Sequence, residues 1–433
     1  MKLFYKTAKS LFFAIPLVAV QFMNAQVFEI ASGGMYFPGG VSENGTVSLN
    51  KGTTVYLWNS TQGLQEIGGL TNNTLFGGSA LISEDGKKIT AGVTNATNNM
   101  NELSVYNVET QSWTHHGGIG TIGLDGSLSN SWGISKDGST VVGLGWLDTG
   151  KAHGVKWDAT NGMIDLGSTV TGKSSRANAI NDDKTIITGW QDKADGSRRA
   201  VRWVNGVQEY LTDNSGNHIG EPSAMSSDGK TIVGYTRLFP YVWNETTGYQ
   251  EIVHPSSSGS FEGGSSAVSG DGKIVIGYFR AFPGLPMTGE GFIWTQENGR
   301  KNLNQYVTSL GIDTKGITFG LPLAISKDGK KIVGTGVKAG NQTVAFLIDL
   351  TSYLTTEAIE IKQLSIYPNP VKNILNINGA DRIGSLEIYN MIGQKIKTIQ
   401  PTDKIEVSTL AKGTYILKIV NNNKTQNIKF IKE

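Results

Sequence analysis

Aromatic and arginine side chains recur at matched places in this chain, and their pairing sets the chemistry open to it. Gly234-Tyr235-Thr236-Arg237-Leu238-Phe239-Pro240 is echoed by Gly277-Tyr278-Phe279-Arg280-Ala281-Phe282-Pro283. Trp190 takes the Tyr position one unit earlier, and Trp146 lies two residues further along in the unit before that. Trp132, Arg176 and Glu221 form a second set, each just ahead of a short apolar segment. Aromatic faces stack on sugar rings, and guanidinium forks hold carboxylates or sulfates. These nine positions are the candidate ligand-binding residues. A catalytic alternative uses His153, Tyr235 and Arg237. A polysaccharide lyase needs a base to take the proton alpha to a uronate carboxylate, and a cation to neutralise that carboxylate. The five histidines, 115, 116, 153, 218 and 254, are expected in loops on one face. The sequence has no His-Glu-x-x-His motif, phosphate loop or Gly-x-Ser-x-Gly elbow, so no metal or cofactor is expected.

The elements that must position these residues are written in a repeat. Ser-x-Asp-Gly-Lys-x-Ile-Val-Gly recurs at Ser135–Gly143, Ser226–Gly234, Ser269–Gly277 and Ser326–Gly334. A looser copy spans Asn181–Gly189, and degenerate copies lie at Ser83–Ala91 and Ser42–Leu49. An Asp-Gly pair between apolar, β-branched runs signals a hairpin, because Gly supplies the positive φ of the turn. A third strand then ends in an aromatic, as in Val55-Tyr56-Leu57-Trp58 and Ala200-Val201-Arg202-Trp203, and a fourth strand follows. The period of roughly 43 to 57 residues is that of a four-stranded propeller blade. The expected fold is therefore all-β: a seven-bladed β-propeller over 26–350. The last unit lacks a fourth strand, and Val27–Ile30 is expected to supply it and close the ring. The terminal aromatics of strand three are expected between neighbouring blades. The Asp-Gly turns would lie on the face opposite the candidate site.

These units resemble extracellular HAF-type repeats, whose Gly-x-Val-Val-Gly strand precedes an Ala-Phe-Leu-Trp-like strand. Ala345-Phe346-Leu347-Ile348 and Gly291-Phe292-Ile293-Trp294 carry the likeness. The turn is also similar to that of TolB-type propellers. The resemblance implies an extracytoplasmic propeller and brings no activity with it.

The termini and composition set the compartment. Lys2, Lys6 and Lys9 precede an apolar run from Leu11 to Val20, and Asn24-Ala25-Gln26 reads as a cleavage region. That order predicts a signal peptide over 1–25, its apolar run too short to span a membrane. There is no cysteine, which removes thiol catalysis and thiolate metal sites. The net charge of +2 divides unevenly. Residues 26–360 carry about −7 and residues 361–433 about +6. The repeat region has no basic stripe, which argues against a nucleic-acid partner.

After a linker over 351–362, the composition changes. Ser365-Ile366-Tyr367-Pro368-Asn369-Pro370, Tyr389-Asn390-Met391-Ile392-Gly393-Gln394 and Gly413-Thr414-Tyr415-Ile416-Leu417-Lys418 appear in order among alternating apolar runs. The alternation predicts a small Ig-like β-sandwich over 363–433. The three motifs resemble the type A C-terminal sorting domain of the type IX secretion system of the Bacteroidota. The resemblance implies passage through the periplasm, recognition by the outer-membrane machinery, and a secreted or outer-surface location. No stretch after the leader approaches the roughly 20 apolar residues of a spanning helix, so no transmembrane segment is expected in the mature chain. The expected function is a binding module for a glycan or another surface polymer. The alternatives are a lyase on an acidic polysaccharide and a structural surface protein.

Overall fold

The repeat motif folds the same way nearly everywhere it occurs. In the computed structural model, the Ser hydroxyl donates to the Asp carboxylate at 2.6–2.7 Å in the turns of Ser83, Ser135, Ser226, Ser269 and Ser326. The same Ser oxygen accepts the backbone N–H five residues on, at 2.9–3.0 Å. Gly86, Gly138, Gly229, Gly272 and Gly329 hold φ between +65° and +77°, a region that glycine enters without steric cost. The looser copy places Asn181 where Ser usually stands, accepting from Ile186 N at 2.8 Å. It puts Lys184 at φ +66° in the glycine position. The glycine closing strand two has another cause. A Cβ at Gly143, Gly189, Gly234, Gly277 or Gly334 would collide with a carbonyl oxygen of strand one.

The structure describes residues 26–71, 77–236, 238–353, 365–378, 385–391, 393–421 and 424–433. The expected leader, most of the linker and Arg237 lie outside them. Residues 26–350 form seven four-stranded antiparallel sheets, the blades of a propeller. Blades 1 to 6 follow in chain order over 36–69, 81–115, 129–165, 175–210, 222–251 and 261–302. Blade 3 shows the plan: Ser129–Ile134, Thr140–Trp146, Ala152–Asp158 and Gly162–Asp165, paired in that order. The seventh sheet joins Thr318–Ile325, Lys331–Lys338 and Gln342–Asp349 to the N-terminal strand Gln26–Ser32. Val27 faces Ile348, Phe28 faces Leu347 and Glu29 faces Phe346. The N-terminal strand thereby covers the outer edge of Gln342–Asp349, which would otherwise present unpaired backbone groups.

Apolar side chains fill the spaces between blades. Val142 of blade 3 packs with Ala177, Ile187, Val201 and Trp203 of blade 4. Trp58, on blade 1, shares a cluster with Val333, Ala345 and Leu347 of blade 7. Of the tryptophans ending strand three, Trp58, Trp203 and Trp294 are 6%, 1% and 6% exposed, and Trp157 and Trp243 are half-buried.

In six blades strand one carries a bulge opposite the closing glycine or its equivalent, for example between Ser131 and Gly133, Ala177 and Ala179, and Pro222 and Ala224. An extra residue at a bulge bends the strand and re-aims its side chain. The bulged residues Gly39, Trp132, Asn178, Ser223, Ser266 and Leu323 all line the central channel.

The C-terminal unit begins after Ser352. It has a three-stranded sheet, Ser365–Tyr367, Ile374–Asn378 and Lys404–Glu406, and a four-stranded sheet containing Lys395–Ile399, Ser385–Asn390, Gly413–Asn421 and Lys424–Lys432. Leu375, Ile377 and Ile405 of the first sheet share a core with Leu386, Ile388, Leu417 and Phe430 of the second. This is the expected sandwich.

Candidate functional site

Strand one of each blade lines the channel, and its alternation sorts the lining into tiers. Nearest the loop face stand Phe37, Asn130, Arg176 and Glu221; the bulged residues come next; Val41, Ile134, Ile180 and Met225 are deeper. The channel encloses about 1000 Å³. Trp146, Trp190, Asp192 and Arg198, from strands two and three of blades 3 and 4, widen the lining at the loop face.

Four side chains form a ladder across this mouth. The Arg176 guanidinium lies 3.8 Å from the Trp132 ring centre and 5.3 Å from that of Trp190. Arg198 lies 4.1 Å from the Trp190 ring. Contacts of this kind are each worth about 0.5–2 kcal/mol, more where water is excluded. Glu221 ties the ladder to blade 5. One carboxylate oxygen accepts from Arg176 Nη2, and the other lies 3.7 Å from Arg198 Nη1. Arg198 Nε is also 3.7 Å from Asp192. Arg176 Nε donates to Asn178 at 2.7 Å, and the Asn178 amide donates to Pro222 O at 2.6 Å. Two guanidiniums therefore face two carboxylates, and the charge of this group balances. Trp190 is 3% exposed, whereas Trp132 and Trp146 are half-buried on the channel wall.

The sequence-derived candidates separate into groups. Trp132, Arg176, Trp190 and Glu221 meet in the ladder, and Trp146 shares the channel wall. Trp132 is not the counterpart of Arg176, as the sequence pattern suggested. Ser131 and Ala177 are equivalent, each facing a closing glycine, so Asn130 matches Arg176 and Trp132 matches Asn178. Trp132 stands three residues before Ser135, whereas Arg176 stands five before Asn181 and Glu221 five before Ser226, so Trp132 sits one tier deeper.

Tyr235 interacts with Glu221. The residue is 41% exposed overall, and desolvation around its hydroxyl, then the Glu221 charge, push its phenol up to about 12. Tyr278 stands near it, raised by burial. Neither Tyr235 nor Tyr278 belongs to the channel lining. Arg280 is committed to its own blade, with Nη2 donating to Glu262 at 2.7 Å and Nη1 to Gly284 O at 3.1 Å.

Of the lyase set, Arg237 lies outside the described residues. His153 lies on strand three of blade 3, and its Nδ1 is 2.9 Å from both oxygens of Asp165 on strand four. A phenol raised to about 12 is a poor base near neutral pH. His115 and His153 lie in strands rather than loops. His116 stacks on Trp157 at 3.6 Å and His218 on Tyr210 at 4.2 Å.

Sequence reasoning missed Arg198, Asp192 and Asn178. Arg198 and Asp192 flank the loop between strands two and three of blade 4, and that placement was the available signal. Asn178 is the bulge residue and had none. No helix among the described residues is long and apolar enough to cross a membrane.

Residues 365–433 match the family model described as the secretion system C-terminal sorting domain. The chain is thus a type IX secretion cargo, exported to the cell surface or secreted. No curated protein matches it in sequence. Among solved structures, it is similar to oligogalacturonate lyase from Vibrio parahaemolyticus, at 14% identity and TM-score 0.48, covering 76% of this chain and 94% of that one. It is similar to PorZ, a surface component of the type IX secretion system of Porphyromonas gingivalis, at 11% identity and TM-score 0.45, covering 91% of this chain and 59% of that one. It is also similar to TolB from Acinetobacter baumannii, at 15% identity and TM-score 0.39, and spans 59% of that protein's length.

Proposed function

We propose that this exported propeller is a surface binding module for neutral glycan, held at the mouth of the central channel on blades 3 to 5. The observation that carries the reading is the open channel walled at its loop face by Trp132 and Trp146 beside a charge-balanced ladder. Aromatic walls favour the C–H faces of sugars. The lining arginines already have carboxylate partners, so an acidic ligand would have to displace Glu221 or Asp192 and desolvate them. That argues for a neutral ligand and against the uronate needed by a lyase.

A glycan array of neutral and acidic oligosaccharides, probed with the full mature chain, tests the reading. Neutral hits are expected, with no unsaturated ends appearing in the ultraviolet on incubation. Trp132→Ala should weaken those hits about two- to twelve-fold, since an aromatic contact is worth about 0.5–1.5 kcal/mol. Exclusive binding of uronates, or their cleavage, would overturn it.

A further inference from the structure

The variable residue of each Ser-x-Asp-Gly turn stands at the far end of the channel. These seven residues are Glu43, Glu84, Lys136, Asp182, Ser227, Gly270 and Lys327. Their backbones bridge neighbouring blades: Glu43 N donates to Glu84 O, Glu84 N to Lys136 O, Asp182 N to Ser227 O, Ser227 N to Gly270 O and Gly270 N to Lys327 O, at 2.8–3.1 Å. Their side chains reach across. Lys327 Nζ of blade 7 lies 3.4 Å from Asp182 Oδ1 of blade 4. Those blades are three places apart in a ring of seven, so this ion pair spans the channel close to its full width. Lys136 Nζ lies 3.1 Å from Glu84.

Immediately above this floor, the residue before each motif forms a collar. Val41, Ile82, Ile134, Ile180, Met225, Val268 and Ile325, one from each blade, all line the channel. Five of the seven are at most 9% exposed. A hydroxyl carried into this collar would lose its hydrogen bonds to water without replacement, at a cost of about 1–3 kcal/mol. The last polar groups above it are Asn178, Ser223 and Ser266 at the bulges and Asn130 nearer the mouth.

We infer that the channel is a blind well, closed by the Asp182–Lys327 bridge and the apolar collar, and that it takes the end of a neutral glycan chain rather than a segment from its middle. This rests on the reading of the mouth as a neutral-glycan site. The terminal sugar enters past Trp132 and Trp146 and stops at the Asn178, Ser223 and Ser266 tier. A chain cannot thread through, so each chain offers one productive end whatever its length.

The test uses the full mature chain and neutral oligosaccharides of glucose, mannose, galactose and N-acetylglucosamine, short and long, with free ends, one end blocked by a bulky dye, or both. End-on capture gives affinities per chain that agree within about two-fold between short and long members of a series, because added internal units add no sites. It also gives loss of at least about ten-fold when the recognised end is blocked. Wild-type binding of doubly blocked chains at undiminished affinity would overturn the blind well and leave the glycan reading standing. Failure of every neutral probe would overturn both. The wild-type length and end-blocking series decides between the two.

Discussion

Glu221 holds the mouth together at the residue scale. It answers Arg176 and Arg198 at once and charges the surroundings of Tyr235. Both partners of the Arg176–Glu221 pair are 13% exposed. Glu221→Gln keeps the shape and leaves a half-desolvated guanidinium without its counter-charge. Removing one partner of a fully buried pair costs about 3–5 kcal/mol, and the residual exposure here lowers that to about 2–4 kcal/mol of stability in a urea melt. The same change lowers the Tyr235 phenol from about 12 toward its ordinary 10.0 without reaching it, since burial is the larger cause and remains. A spectrophotometric titration of wild type against Tyr235→Phe isolates that phenol, and the same subtraction in the Glu221→Gln background reads the shift. The sign for stability follows. Between pH 10 and 12 the unfolded chain has lost the Tyr235 proton while the folded chain keeps it, so stability falls as pH rises through that window. An unchanged phenol in Glu221→Gln would refute the coupling. Arg176 and Glu221, each five residues before a motif, and Trp190, directly after a closing glycine, were individually legible because each stood at a repeated position. Their mutual stacking was not, since it depends on a rotamer and on which blade neighbours which.

At the scale of the element, the turn was legible because Ser, Asp and Gly each have a local task there: hydroxyl donor and acceptor, carboxylate acceptor, and positive φ. The bulge was not legible. It arises where strand one must pass the closing glycine, a steric event between strands with no residue type of its own: Gly39, Trp132, Asn178, Ser223, Ser266 and Leu323 all occupy it. Two alanine substitutions at equivalent turn positions should behave differently. Gly329→Ala forces a Cβ onto a φ of +73° and to 3.0 Å from Ile274 Cδ1, and should cost about 1–2 kcal/mol. Lys184→Ala keeps an L-residue at φ +66°, where the strain is already present. It gives up only the partly exposed ion pair with Asp137 at 2.7 Å, and should cost less than about 1 kcal/mol. Equal losses in thermal melts would mean that the backbone of the looser turn differs from that of the others.

For the whole molecule, the two units are stabilised separately and addressed differently. The propeller closes with its own N-terminal strand, through the pairing of Gln26–Ser32 with Gln342–Asp349. The sandwich has its own core of Val371, Leu375, Leu386, Leu417 and Phe430. Three ordered motifs made the sandwich readable from sequence, while the ligand stayed unreadable because affinity is set by side chains from several blades that meet only after closure. A chain ending after Ser352 retains every strand of the seven blades. It should melt cooperatively at the temperature of the propeller transition in the full-length protein, because none of the inter-blade clusters draws on the C-terminal unit. The same truncation removes the matched sorting domain at 365–433, so in cells it should accumulate in the periplasm, folded, instead of reaching the surface or the medium. Fractionation with a proteolysis assay reads both outcomes. Folded protein at the surface would show that export does not need the sorting domain. Unfolded protein in the periplasm would show that the blades depend on the C-terminal unit after all.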